Sequence, residues 1–122
     1  MNPLISKRVD LVLQRHDHNY QRGKQLARNG ATCASVPAGF FDPDCVIDDG
    51  SDNSYRKGAG PVFLISGSFG LCRYAVDAAD PEAGYFARIA SNSKGFTKYT
   101  VGPGHIAARF VSSTGAFTDA FR

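Results

Sequence analysis

Tryptophan is absent from this 122-residue chain, methionine occurs once and cysteine three times. Long apolar runs are missing as well. The longest, Val62 to Ile65, covers only a few residues and is far too short for a membrane-crossing helix, so no membrane partner is expected. Charge is moderate, with 20% charged and 43% hydrophobic residues, which excludes a disordered tail, a collagen-like repeat and a coiled coil. Thirteen glycines and six prolines point to many turns and short strands rather than a helical bundle. A chain of this length makes one domain and can bury roughly two-thirds of its unfolded surface.

A dense basic stripe is also lacking. The net charge is +3, and its basic residues stand one at a time along the chain. Residues 31–55 carry five Asp and no Lys or Arg. Nucleic-acid binders pair a basic stripe with stacking aromatics, so no nucleic-acid partner is expected. The start, Met1 to Arg8, has no apolar stretch followed by a small-residue cleavage site, so it does not read as a secretory leader. That leaves a cytoplasmic protein or an internal piece of something longer. The first element has no N-cap before it, like a helix cut near its end, and favours the second.

Val9 to Leu13 reads as a buried strand, covered on both faces. It runs into a polar cluster, Gln14 to Arg22, and so delivers that cluster to a sheet edge, where α/β sites usually lie. Residues 29–61 show little periodicity, and a loop of that length tends to be functional or specially tied down. Pro61 to Ser66 is a second strand, entering the glycine turn Gly67-Ser68-Phe69-Gly70. Tyr85 to Ala90 is strand-like. Phe96–Val101 and Ile106–Val111 alternate around Gly102-Pro103-Gly104, a hairpin signal. With Phe117 to Phe121 this makes an antiparallel meander of three or four strands.

The chemistry-bearing cluster is His16-Asp17-His18-Asn19-Tyr20. On an extended segment two imidazoles at i and i+2 share a face, with Cβ atoms about 6–7 Å apart. They could bind one metal together, or one each of two metals about 3.5–4 Å apart. His105, beside Gly104 at the hairpin tip, reads as a surface histidine. Asp42, Asp44, Asp48, Asp49 and Asp52 do not fit the spacing of a twelve-residue calcium loop and read as solvated Asx turns.

The segment Val9 to Arg22 resembles the last metal-binding motif of calcineurin-like metallophosphoesterases, closest to the purple acid phosphatase branch, where a strand runs into G-H-x-H-x-Y-x-R. Gly58 to Gly70 is similar to the following strand and its V-x-G-T-G-G turn, and residues 96–121 to the closing strands. The resemblance covers nearly the whole chain and implies that residues 1–122 form the C-terminal portion of such a domain. The implied fold is α/β, a β-sandwich flanked by helices, of which this portion is mostly β. The implied function is hydrolysis of phosphate esters at a two-metal centre of iron, zinc or manganese. His16 and His18 would be ligands, and Tyr20 and Arg22 structural supports of the motif. Two departures stand out: Arg15 replaces the motif's Gly, and Phe69 replaces a Gly of the turn. The motifs D-x-H, G-D-x-x and G-N-H-[DE], and one further His, are absent. The alternative is therefore a non-catalytic remnant, or a fragment that needs its missing N-terminal half or self-associates. The resembled enzymes are largely exported, which implies a secreted or periplasmic protein and a Cys33–Cys45 disulfide with Cys72 free. Without that resemblance, three reduced thiols fit a chain with no leader.

Overall fold

The strand Val62–Ser66 buries side chains on both of its faces: Phe63 enters one apolar cluster and Leu64 another. A strand can do that only where both sides of its sheet are covered. The computed structural model, which describes residues 1–70 and 74–122, shows what covers them. Cys72 lies outside the described residues. In chain order the elements are α1 (Asn2–Ser6), β1 (Leu11–Gln14), β2 (Tyr20–Leu26), β3 (Val46–Asp48), β4 (Val62–Ser66), β5 (Phe86–Ala90), β6 (Gly95–Val101), β7 (Ile106–Ser112) and β8 (Asp119–Phe121). Short 3-10 turns at Pro43–Cys45 and Ala83–Tyr85 precede β3 and β5.

The described residues are mostly β, with two sheets and one short α-helix. The first sheet runs β1-β4-β2-β3, with β5 also paired to β2. Among the described residues only the β1–β4 pair is parallel, aligning Leu11 with Val62 and Gln14 with Ile65. The second sheet is the meander β6-β7-β8. Its hairpin aligns Val101 with Ile106 and is closed by Gly102 N–H donating to the His105 carbonyl at 2.9 Å. The strand at Phe86–Ala90 leaves the meander and pairs with β2.

One face of the first sheet packs on the meander through Tyr20, Leu64, Phe110 and Phe121. The other is covered by α1 and the long connection through Ile5, Val36, Cys45, Phe63 and Tyr85. Cys33 and Cys45 form a disulfide, with Cα atoms 5.2 Å apart. Asn2 clamps α1 to the same loop, donating to the Val36 carbonyl at 3.0 Å and accepting from its N–H at 2.8 Å.

Two expectations are corrected. The Val9–Leu13 run is covered on both faces only along its first part, where Leu11 packs against one cluster and Val12 against the other. Its strand β1 is an edge, and Leu13 is 56% exposed. The buried strand next to it is β4, and a short apolar run does not reveal which of two parallel neighbours is outermost. Tyr20 to Arg22, read as the end of the polar cluster, are also no part of a polar loop but open the central strand β2, which is buried along most of its length.

Candidate metal-binding loop

The segment linking β1 to β2 leaves β1 at its carboxyl end. The turn Gly67 to Gly70 leaves the adjacent parallel strand β4 at the same end. The two connections touch. Gly67 N–H donates to the Asn19 carbonyl at 3.1 Å. A Cβ on Gly67 would sit 2.2 Å from the Asp17 carbonyl oxygen, so no larger residue fits without moving the backbone. The loop's inner end is fixed by buried Asn19, whose side-chain oxygen accepts from the Gln21 amide at 2.9 Å.

The H-x-H segment is not extended, as strand alternation would require. Residues 16–19 bend, and Asn19 N–H donates back to the Asp17 carbonyl at 2.9 Å. His16 is exposed, and its backbone lies at φ 106°, a region L-residues rarely adopt. Holding it costs on the order of 1–3 kcal/mol, and such strain clusters at functional sites. In the motif that this segment resembles, the glycine would stand one residue earlier, at Arg15, which has no positive φ. His18 is half-buried, and its ring stacks on Tyr74 with centroids 4.3 Å apart. Tyr74 N–H donates to the His18 carbonyl at 3.1 Å.

Tyr20 and Arg22 point away from this loop, into the space between the sheets. The Tyr20 hydroxyl donates to Asp119 Oδ2 at 2.8 Å. Arg22 Nε lies 2.8 Å from the same oxygen without aiming its N–H at it, so that contact is Coulombic. The guanidinium's directional bonds go to Tyr55 Oη at 3.0 Å and Asn53 Oδ1 at 2.8 Å. Its Cζ also lies over the Phe121 ring, 5.1 Å from the centroid. Burial holds the Tyr20 hydroxyl well above its ordinary range, helped by the Asp119 carboxylate. Burial likewise pushes Tyr55 up to about 12. These residues tie β2 to β8 and to the long connection.

A cavity of about 420 Å³ opens beside the H-x-H loop, with Gln14, Asp17, Asn19, Gln21, Ile65 and Tyr74 on its wall. Another, of about 600 Å³, lies at the opposite end of β1 beside Asp10, Leu11 and His105. His105 therefore does not join the other two histidines. The acidic stretch forms local turns: Asp42, Asp48, Asp49 and Asp52 each accept from the N–H two residues on. Among the described residues, the one cluster of three metal-capable side chains with all ligand atoms within 4.8 Å is Cys33, Asp42 and Cys45. No such cluster includes His16 or His18. Two imidazoles without a carboxylate fit as part of a larger centre and do not fit a complete one.

Sequence reasoning missed Gln25, whose side-chain amide donates to the carbonyls of Arg56 and Gly60, both at 2.8 Å. A buried glutamine in a polar stretch gives no apolar period to detect it by. No family model matches the chain, and no curated protein matches it.

Proposed function

We propose that the chain is the closing portion of a metal-dependent phosphoesterase, α/β by ancestry, and that His16 and His18 are its contribution to a two-metal centre. The observation that supports this most is the meeting of the H-x-H loop and the Gly67–Gly70 turn at the carboxyl ends of the parallel pair β1 and β4, with Gly67 packed on the Asp17 carbonyl. Ligand sites in α/β sheets form at such ends. The strained backbone at His16 adds to it. Tyr20 and Arg22 serve the motif by locking the strand that follows it.

The metal centre, its phosphate-ester substrate and the remaining ligands belong to the missing half. With two imidazoles and, among the described residues, no carboxylate clustered with them, the chain alone is not read as a competent phosphatase. The Cys33–Cys45 disulfide suits an oxidising, secreted or periplasmic setting. The second reading, a non-catalytic remnant, is favoured by the absent motifs and by Arg15.

The test is a chimera in which residues 1–122 replace the matching portion of an intact metallophosphoesterase. Chromogenic phosphate-ester turnover with manganese, iron or zinc, lost in His16→Ala and His18→Ala, is the expected result. A chimera that folds and turns over no substrate points to the remnant. Turnover by the isolated chain, abolished by His18→Ala, would show that it builds a site by itself.

A further inference from the structure

The corner where the long connection meets β3 holds a second donor set, independent of the histidines. Cys33 and Cys45 are both buried, and Asp42 stands beside them at the start of the turn that carries Cys45. The Asp42 carboxylate is already oriented. Its Oδ1 accepts from Asp44 N–H at 3.0 Å, and Oδ2 faces Cys45 Sγ at 3.6 Å. A disulfide sulfur has no proton to donate, so this approach is not a hydrogen bond. The Asp42 backbone is pinned too, donating to Tyr85 Oη at 2.9 Å, and Tyr85 packs edge-on against Phe41.

We infer that reducing the Cys33–Cys45 disulfide turns this corner into a site for one thiophilic divalent cation, of the zinc class, held by both Sγ atoms and the Asp42 carboxylate. Zn–S bonds of about 2.3 Å at the tetrahedral angle place ligand atoms about 3.6–3.8 Å apart. Cys45 Sγ and Asp42 Oδ2 already stand 3.6 Å apart. All three ligand atoms lie within 4.8 Å of one another, and the bonded sulfurs, which stand too close for a shared ion, can separate once the bond between them is cleaved. Thiolates select zinc over calcium or magnesium. The fourth position falls to water. Asp44, Asp48, Asp49 and Asp52 along the same segment, with no Lys or Arg between residues 31 and 55, favour a cation's approach.

The reductant is a dithiol. Its two electrons break the S–S bond, its two protons go to the Cys33 and Cys45 sulfurs, and it leaves as its own disulfide. Zinc then displaces those two protons to solvent and forms two Zn–S bonds and one Zn–O bond.

Cobalt(II) is the probe, added to the full chain before and after reduction with a phosphine. The reduced chain should bind one cobalt, with a sulfur-to-cobalt charge-transfer band in the near ultraviolet that zinc abolishes. The oxidised chain should show no such band. Asp42→Asn should weaken cobalt binding at least tenfold, since a direct ligand should cost no less than the roughly 10–100-fold of an outer-shell partner, while Asp77→Asn, outside this segment, leaves it unchanged. Circular dichroism checks that each reduced variant keeps its strands. No band in the reduced chain overturns the inference whether or not the fold persists, because the site must be one the fold holds. A band of equal affinity in Asp42→Asn overturns it as well.

Discussion

Arg22 is among the largest fully buried side chains of the described residues, and Asp119 is the carboxylate that neutralises it. A buried pair adds little net stability over apolar residues of the same shape, but removing one partner strands a charge in a dry interior. Asp119→Ala should therefore lower unfolding stability by about 3–5 kcal/mol, measured by urea titration. A change within ordinary surface-mutation scatter would contradict the buried pairing. The same cluster sets an alkaline limit. Tyr20 and Tyr55 are both held above their ordinary value of 10.0, chiefly by burial, so the fold prefers them protonated. Their stabilising effect is complete below the unfolded value and is lost as pH climbs toward about 12. Stability should fall as pH rises from about 10 to about 12, and Tyr55→Phe should flatten that fall. A Tyr55→Phe profile identical to that of the parent chain would contradict it.

At the scale of elements, the meeting of two connections depends on Gly67. Gly67→Ala places a methyl group against the Asp17 carbonyl, and overpacking of this kind costs about 1–3 kcal/mol. Hydrogen exchange at the residue 67 amide should quicken, because its bond to the Asn19 carbonyl is the nearest to give. Unchanged protection would mean the loop and turn are held by something else. The disulfide fixes the other loop. Its cysteines are 12 residues apart, and reduction should cost about 2–4 kcal/mol. Denatured, unreduced protein should show one free thiol per chain, and three would exclude the bridge. Elements with a clear period were legible in the sequence: the β6–β7 hairpin and β4 stand where alternation and apolar runs placed them. β2 was not, because its buried side chains include Gln21, Arg22 and Gln25. Hydrogen bonds, not apolarity, make these residues tolerable inside, and their partners, such as Asn53 and Tyr55, lie some thirty residues on.

The whole molecule is a sandwich whose first sheet ends in an open edge at β1, with no strand on its outer side among the described residues. Leu13 stands exposed there, and the H-x-H loop hangs from the same strand's end. The sequence showed which residues cluster at that end, but not their arrangement. The bend at residues 16–19 and the inward turn of Tyr20 and Arg22 depend on β4, β8 and the long connection. The most direct measurement on the loop is a zinc titration of the full oxidised chain, followed by the imidazole proton resonances of its three histidines. If His16 and His18 are a partial metal site, their resonances shift together, weakly and only at high metal concentration, while those of His105 stay in place. Three histidines moving independently, or His105 leading, would contradict a shared metal-binding role for the loop.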